Sequence, residues 1–294
     1  MGCLSGWDEL KMEAMVSQDI ILTHQEYKKI ARLVYDRFGI HLGDKKESLV
    51  SNRLRKVLQA GGFATFDKYY QHLITDRSGK ALDVLINKIS TNLTFFGREA
   101  EHFLYLKDTV IPAFLASGVF KSDKKLRIWC AGCSTGEEAY TLAISAREAL
   151  RQARADIDFA VLATDISGRA LAVAEKGIYN AENVEKMDRA WLKKYYSKTD
   201  GDTFAVNREI REKVLFRRLN LMRPEFPFKN RFHVIFCRNV MIYFDQKTRQ
   251  ELTVKFHKYI HDEGYLFIGH SESLGRDNAY FSYVKPAVYK RSKG

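Results

Sequence analysis

Apolar positions between residues 21 and 89 recur at the spacing of amphipathic helices. The first helical segment follows Thr23, and Thr23 with Glu26 matches a capping box at its start. Gly39 ends the apolar pattern of this segment, as a glycine commonly ends a helix. The helical segments are, in chain order, YKKIARLVYDRFGI, KKESLVSNRLRKVLQAGG, FDKYYQHLIT and ALDVLINKIS. We predict a small all-α domain over residues 21–89, after a tail of residues 1–20 without clear periodicity.

Beyond residue 99, after one more helix that runs to about Ser117, short apolar runs alternate with helical segments. The runs LRIWC, FAVLATD, HVIFCRN and GYLFIGH have the length and composition of buried strands. This alternation is typical of a doubly wound α/β fold, with a mostly parallel sheet and helices on both faces. The last segment, YFSYVKPAVYKRS, predicts an antiparallel edge hairpin around Pro286. We predict one α/β domain over residues 100–294, joined to the helical domain by a linker of residues 90–99.

The alternation is interrupted at about residues 180–217. Two short strand-like runs, TFAV and EKVLFRRL, stand there beside the turn-forming segments KTDGD and NREIR. We therefore predict a small antiparallel β-subdomain inserted into the α/β domain.

Composition narrows the class of protein. A content of 46% apolar and 13% aromatic residues is typical of a globular chain. The formal net charge of +12 favours acidic partners, although a solvated basic surface explains it equally well. Four cysteines are too few for a disulfide framework. With no leader sequence and no apolar run of membrane-spanning length, we expect a soluble cytoplasmic protein.

Candidate chemistry lies where the predicted strands end. In doubly wound sheets, ligands bind at the carboxyl ends of the strands, near the point where the strand order reverses. Asp165 ends the second strand, where a carboxylate can accept hydrogen bonds from both hydroxyls of a ribose. The other strand ends carry CAGCSTGEE, CRNVMIYF and GHSES.

The loop CAGCSTGEE contains glycines that would let a ligand approach the backbone, yet it matches neither a P-loop nor a full G-x-G-x-x-G fingerprint. Glu137 and Glu138 would repel a pyrophosphate. They would suit a ligand with an ammonium group and no phosphate, such as S-adenosylmethionine. Carboxylates also favour helix N-termini for structural reasons, so both interpretations stay open here.

The same loop contains a C-x-x-C, Cys130 and Cys133, a pattern that also occurs in zinc and redox sites. A structural zinc site needs four ligands, and the other two cysteines stand singly in the chain. The histidines show no metal-binding spacing such as H-E-x-x-H. We therefore expect no metal, and we expect Cys130 to pack as a small apolar residue.

Several segments taken together resemble the CheR family, S-adenosylmethionine-dependent protein-glutamate O-methyltransferases that act on chemotaxis receptors. They occur in the family's order within about residues 23–290, and they are STNLTFFGREAEHF, CSTGEEAYTLA, ATDI, IFCRNVMIYFD and GYLFIGHSES. The resemblance implies a Rossmann-like class I methyltransferase domain with an inserted β-subdomain, preceded by an all-α domain. The implied products are a glutamate methyl ester and S-adenosylhomocysteine.

The resemblance also assigns residues. Arg98 and Tyr243 would be catalytic, facing the transferring methyl group and the substrate carboxylate. Glu137 would meet the methionine end of the cofactor, and Asp165 its ribose. The full cofactor-binding set would be Asn92, Thr94, Arg98, Glu137, Asp165, Asn220, Leu221, Cys237 and Arg238, with Asn92, Thr94 and Arg98 on the linker between the domains.

The implied partners are the cytoplasmic methylation helices of chemoreceptors. Lys46, Arg53 and Lys56 form a basic face on the second predicted helix, which would steer an acidic receptor helix or simply be solvated. No ladder of base-stacking aromatic residues accompanies it, so we expect no nucleic acid. We also expect a monomer that does not insert into membranes. The loop in YYSKTDGDTFAV is short, which favours docking without the receptor's C-terminal pentapeptide.

Two other functions stay open. One is a methyltransferase of the same fold that acts on RNA or on another protein. The other is a non-catalytic module that senses an adenosyl cofactor and docks a signalling partner. The presence of Arg98, Tyr243 and Asp165 together favours an enzyme over such a module.

Overall fold

The structure is a computed structural model that describes residues 20–275 and 278–292. The predicted tail lies outside the described residues, apart from its last residue. The chain divides into two compact units, one containing residues up to Val34 and Leu42–Ile89, the other Tyr35–His41 and the residues from Ser90 onwards.

Residues 24–89 form four α-helices joined by short connections, as predicted. The capping box before the first helix is confirmed, because the Thr23 N–H donates to Glu26 Oε2 (2.9 Å) and the Glu26 N–H donates to Thr23 Oγ1 (3.3 Å). Apolar side chains at helical spacing, among them Val50, Leu54 and Leu58, are fully buried in the first unit. The helices are α1 (His24–Phe38), α2 (Glu47–Ala60), α3 (Phe66–Thr75) and α4 (Lys80–Ile89), with a 3₁₀ turn at Asp44–Lys46.

The second unit is built on a seven-stranded sheet. Five neighbouring strands are parallel, and a C-terminal antiparallel hairpin extends one edge, as predicted. The strand order is β6-β2-β1-β7-β8-β10-β9. The strands are β1 (Lys125–Ala131), β2 (Asp158–Asp165), β6 (Val214–Arg218), β7 (Phe232–Cys237), β8 (Ile260–Ile268), β9 (Phe281–Lys285) and β10 (Val288–Arg291).

Helices cover both faces of this sheet. Alternating residues of β1 show why: Ile128 and Cys130 join one apolar cluster, and Trp129 and Ala131 join another on the opposite face. The first cluster includes residues of α5 (Glu101–Tyr105), α6 (Ile111–Ser117), α7 (Glu137–Gln152) and α8 (Gly168–Lys176), with a π-helical segment (Leu106–Val110) between α5 and α6. The second includes residues of α12 (Gln246–Tyr259). This architecture confirms the predicted doubly wound α/β class.

A separate three-stranded antiparallel sheet is inserted between β2 and β6. Its order is β3-β5-β4, and a four-residue connection, 199–202, joins β4 to β5. Phe96 of the predicted linker packs edge-on against Tyr179 and Tyr196 of this small sheet. The elements are β3 (Ile178–Asn180), α9 (Ala181–Val184), α10 (Arg189–Tyr195), β4 (Tyr196–Lys198), β5 (Thr203–Val206) and α11 (Arg208–Arg211).

One predicted boundary differs from the structure. We grouped EKVLFRRL with the insertion, but its strand β6 pairs in parallel with β2 at the edge of the main sheet. Only Phe216 of β6 is buried, while its neighbours Leu215 and Arg217 are exposed. Such alternation is common to antiparallel strands and to edge strands of parallel sheets, so the pattern could not separate them.

Among the described residues, no helix is long and apolar enough to cross a membrane.

Candidate active site

Loops after the parallel strands meet at one edge of the sheet, and Asp165 at the end of β2 ties them together. Its Oδ2 accepts a hydrogen bond from the Ser134 N–H (2.8 Å), and its Oδ1 accepts one from the Ser167 N–H (2.9 Å). Its carbonyl accepts the Leu219 N–H (3.0 Å), which fixes the loop after β6. Burial raises the pKa of Asp165, and the hydrogen bonds from backbone N–H groups and Asn92 oppose that shift. Asp165 therefore holds together the loops that follow β1, β2 and β6.

At Gly132 and Gly136 in the loop after β1, the backbone conformation and the neighbouring atoms leave no room for a side chain. Both have positive φ angles, 96° at Gly132 and 99° at Gly136. A Cβ atom on Gly132 would lie 2.3 Å from Val240 Cγ2, and one on Gly136 would lie 2.8 Å from Ala174 Cβ. We expected these glycines to admit a ligand, but their positive φ angles and their packing against Val240 and helix α8 already explain them.

Glu137 and Glu138 begin α7 and have different surroundings. Glu138 Oε2 accepts a hydrogen bond from Arg238 Nη1 at 2.7 Å, so the protein itself supplies its cation. Glu137 is 3% exposed, and Thr135 Oγ1 donates to its Oε2 at 2.6 Å. Burial raises the pKa of Glu137, opposed by the Thr135 hydroxyl and a backbone N–H, neither of which is a cation. Among the described residues, no cation pairs with the Glu137 carboxylate.

Arg238, which follows β7, is turned into the protein. Its guanidinium lies over the ring of Phe103 and pairs with Glu99 and Glu138. Nη2 also donates to the Arg98 carbonyl at 2.6 Å. For Glu99, burial raises the pKa, but the Arg238 charge and hydrogen bonds outweigh this and hold it below its ordinary value. Arg238 therefore acts on the predicted site by holding the backbone of Arg98.

The segment before α5 carries Asn92, Thr94 and Arg98, and all three are half-buried. The Asn92 carbonyl accepts a hydrogen bond from Ser134 Oγ (2.9 Å), which links this segment to the loop after β1. Arg98 Nη1 donates to the Leu93 carbonyl (2.8 Å), closing a compact turn. These three predicted residues are thereby brought to the same edge as Asp165.

The loop after β6 brings in Asn220 and Leu221. Asn220 Nδ2 donates to the Arg37 carbonyl (2.7 Å), and its Oδ1 accepts the Met222 N–H (3.0 Å), so its side chain shapes this loop. Leu221 is 8% exposed. Cys237 is fully buried at the end of β7, so only its backbone could meet a ligand.

Tyr243 ends a 3₁₀ turn (Met241–Tyr243) after β7, and its carbonyl accepts the His41 N–H at 2.8 Å. Buried Glu272, from GHSES, fixes the same turn: its carboxylate accepts the Asn239 N–H (3.0 Å) and the Ile242 N–H (3.1 Å). Its Oε2 also accepts the Gly269 N–H, joining the loops after β7 and β8. Sequence analysis placed GHSES at a strand end, but it did not predict that Glu272 joins these two loops.

Sequence analysis did not identify three acidic residues that organise the site: Glu99, Glu138 and Glu272. Each lies within a segment that carries the family resemblance, and Glu99 and Glu138 directly follow the predicted site residues Arg98 and Glu137. These residues could have been found because each is a carboxylate in a segment with many apolar residues. A carboxylate that is buried there needs a hydrogen-bonding partner.

The C-x-x-C has no metal-like geometry. Both thiols are buried and free, and the Cys130 Sγ donates to Glu138 Oε1 (3.2 Å). Burial raises the pKa of both thiols well above the ordinary value, which disfavours thiolate chemistry. The expectation that Cys130 packs within the core is confirmed.

The predicted docking residues lie on or beside α2 in the first unit. Arg53 Nη1 donates to the Lys88 carbonyl (3.4 Å) and the Ile89 carbonyl (2.8 Å), so it caps the end of α4. Lys46 immediately precedes α2 and is half-buried, and Lys56 is exposed. The three side chains therefore differ in their freedom to meet a partner.

Comparison with known proteins identifies the family. Residues 25–90 match the family model for the CheR methyltransferase all-alpha domain, and residues 92–290 match the CheR methyltransferase SAM binding domain. A chemotaxis protein methyltransferase of Borreliella burgdorferi is 40% identical over 93% of this chain and 96% of that protein. The Escherichia coli K12 protein of the same name is 34% identical over 95% and 94% of the two chains.

A solved structure of the N-methyltransferase NodS from Bradyrhizobium japonicum WM9, in complex with S-adenosyl-L-homocysteine, aligns with 57% of this chain and 58% of that chain. Its identity of 12% and TM-score of 0.32 are too low to support a conclusion. The family models cover nearly all of the described residues, and the relatives match over almost their full length. The chain belongs to the CheR family of S-adenosylmethionine-dependent methyltransferases.

Proposed function

We propose that this methyltransferase forms methyl esters on glutamate side chains of chemoreceptors, for sensory adaptation in bacterial chemotaxis. The relatives matched over nearly their whole length are named chemotaxis protein methyltransferases, which supports a substrate in that signalling system. The structural observation that supports S-adenosylmethionine as the cofactor is the environment of Glu137. Its carboxylate is buried, and the arginine nearby, Arg238, pairs with the next residue, Glu138, instead. Such a carboxylate fits an ammonium group.

Glu137 would hold the amino group of S-adenosylmethionine, and Asp165 its ribose hydroxyls. The Asp165 carboxylate already accepts the Ser134 and Ser167 N–H groups and is also hydrogen-bonded by Asn92, so it is held in place at the edge where the ribose would lie. Asn92, Thr94 and Arg98 would line one side, and Asn220 with Leu221 the adenine. Cys237 and Arg238 would contribute backbone from the end of β7. When bound, the cofactor supplies an electrophilic methyl group on a sulfonium sulfur.

Arg98 would orient the substrate carboxylate, and Tyr243 would position its second oxygen. A glutamate side chain has a pKa near ~4.3 and is already ionised at neutral pH, so no residue need remove a proton. The contribution of the protein is therefore alignment and exclusion of water. Because a tight bidentate pair would withdraw charge from the attacking oxygen, we expect Arg98 to bind mainly the other oxygen.

Docking of the acidic receptor helix would use Lys46, Arg53 and Lys56. Lys56 is exposed and suits charge steering, whereas Arg53 has its hydrogen bonds to the end of α4 and would contribute mainly its field. The four-residue connection between β4 and β5 favours docking without the receptor's C-terminal pentapeptide. Titration with that peptide tests this point, and saturable binding would overturn it.

The experiment that tests the function is transfer of a labelled methyl group to membranes containing chemoreceptors. We expect base-labile label on receptor glutamates and none on a receptor whose methylated glutamates are replaced by alanine. Label that is stable to base, or that transfers to RNA in a competition with receptor membranes, would support the alternative substrates. Cofactor binding without transfer to any receptor would support a non-catalytic sensor.

A further inference from the structure

Three potential metal ligands meet beside the backbone of Arg98. Glu99 precedes α5, His102 lies on α5, and His270 follows β8. One ligand atom from each of these three residues lies within 4.8 Å of the other two. His270 is 171 residues from Glu99 in the chain, so no short sequence motif could predict this group of ligands.

His102 is the observation that points to a ligand. Its side chain is fully buried, and neither ring nitrogen has a hydrogen-bond partner within the described part of the chain. Buried polar atoms are nearly always hydrogen-bonded, so an unpaired buried nitrogen indicates a partner that is missing from the protein itself. Its Nδ1 lies 3.5 Å from Glu99 Oε2, too far for a hydrogen bond. The buried ring thus presents an unused nitrogen to a carboxylate.

This separation suits two bonds to one ion. Zinc binds histidine nitrogen and carboxylate oxygen at about 2.0–2.2 Å, and two such bonds across the 3.5 Å gap would meet at about 115°, near the tetrahedral angle. The His270 ring is nearly perpendicular to that of His102, with centroids 4.8 Å apart. His270 is half-exposed, so a shift on the order of 1 Å would bring it into range.

The charge and hydrogen bonding of the surroundings also suit a divalent cation. Glu99 and Glu138 pair with Arg238, and Glu101 Oε1 lies 2.9 Å from His270 Nε2. Metal-bound histidines commonly donate their other ring nitrogen to a carboxylate, which is the arrangement that Glu101 offers His270. Arg238 donates to Glu99 Oε2 from both Nε (3.3 Å) and Nη2 (3.1 Å), and metal-bound carboxylates are commonly hydrogen-bonded by neighbouring side chains.

We propose that Glu99, His102 and His270 form a zinc-binding site, with water as the fourth ligand. This departs from the expectation of no metal, which rested on sequence spacing alone. The site does not depend on the proposed methyl acceptor. A bound ion would tie the residue after Arg98 to the turn after β8, restraining the predicted catalytic segment.

The test is calorimetric titration of chelator-treated full-length protein with zinc chloride, with the visible spectrum of bound Co²⁺ reporting the geometry. We expect one saturable site with a four-coordinate cobalt spectrum. His270→Ala should weaken zinc binding at least tenfold, because ligand removal costs no less than removal of an outer hydrogen-bonding partner, about 10–100-fold. His102→Gln should do the same.

The control is His261→Ala, since His261 stacks on buried His233 with ring centroids 5.1 Å apart, as a second histidine pair. This variant should bind zinc as the unaltered protein does. Absence of saturable zinc binding, or equal affinity in His270→Ala, would overturn the proposal. If His102→Gln does not fold, His270→Ala decides alone, because its side chain is 46% exposed.

Discussion

Replacing Arg238 by methionine would leave two buried carboxylates without their cation. The Arg238 side chain is 1% exposed, and those of Glu99 and Glu138 are 15% and 14% exposed. Methionine keeps a long stem that can pack on the ring of Phe103, so the perturbation is mainly electrical. We expect the free energy of unfolding of the second unit to fall by about 3–5 kcal/mol at pH 7.

The magnitude follows from the lost contacts. Arg238 donates at 2.7 Å to Glu138, at 3.1 Å to Glu99 and at 2.6 Å to the Arg98 carbonyl. Hydrogen bonds with a charged partner contribute about 1.5–3 kcal/mol each, so three total roughly 5–9 kcal/mol before relaxation. Protonation of the abandoned carboxylates and burial of the methionine stem offset part of this, which gives the smaller expected loss.

The loss should depend on pH. In the unaltered protein, burial already raises the pKa of Glu138 against the opposing charge of Arg238. Without Arg238, the folded-state pKa of Glu138 would rise further and that of Glu99 would rise above the unfolded value of about 4.3. The folded variant then binds protons that the unfolded chain does not, so its stability increases as the pH falls from 7 towards 5. In the unaltered protein the pKa of Glu99 is lowered, and its stabilisation persists throughout that range. The gap between the two proteins should therefore narrow on acidification.

Urea unfolding followed by tryptophan fluorescence, to which buried Trp129 contributes, measures both effects at pH 7 and pH 5 in the presence of chelator. The matched control is Arg208→Met, whose ion pair with Glu212 is 90% and 58% exposed, so the urea midpoint should stay nearly unchanged. Adding Glu138→Gln to the Arg238 variant should restore part of the loss. A loss below about 1 kcal/mol, or a gap independent of pH, would refute the reasoning.

Three further predictions concern single carboxylates. Glu137→Gln should weaken S-adenosylmethionine binding roughly tenfold by calorimetry, because an amide cannot offset an ammonium charge; unchanged affinity would remove the assignment. Glu272→Gln should lower the free energy of unfolding by about 2 kcal/mol in urea, because its amide nitrogen cannot accept a backbone N–H; an unchanged midpoint would contradict this. Asp245 caps α12, and hydrogen bonds from the backbone N–H and hydroxyl of Thr248 and from the Tyr35 hydroxyl lower its pKa to about 2. Asp245→Asn should therefore cost about 1 kcal/mol at pH 5, a cost that disappears as the pH falls through 2 and that thermal unfolding at several pH values would detect.

Most elements of the fold could be predicted because each one carries its own periodicity. The capping box at Thr23 and the alternation in β1 are local signals, and both appear in the structure. The partner of a strand is not a local property, which is why β6 was grouped with the insertion although it pairs with β2. An edge strand with one buried residue gives the same signal in either sheet.

In the candidate site, too, some features could be predicted from the sequence and others could not. Parallel strand ends bring Asp165 and the loops after β1 and β7 to one edge, and this follows from topology alone. The direction of the Arg238 side chain does not follow from topology, because it depends on the backbone after β7 and on carboxylates elsewhere in the chain. The group of Glu99, His102 and His270 is still less accessible, since its members come from opposite ends of the domain.

Glu137 and Glu138 show where local reasoning stops. Successive residues of a helix point about 100° apart, so the sequence alone implies that these two carboxylates have different neighbours. Which one is paired inside the protein depends on β7, where Phe236 stands opposite Cys130 and places Arg238 against Glu138. Glu138 thereby becomes part of the support for Arg98, and Glu137 is the carboxylate that we propose meets a cationic ligand. Two adjacent glutamates thus have different roles: Glu138 stabilises the site, and Glu137 is proposed to bind the cofactor. The register of β7 against β1 distinguishes them.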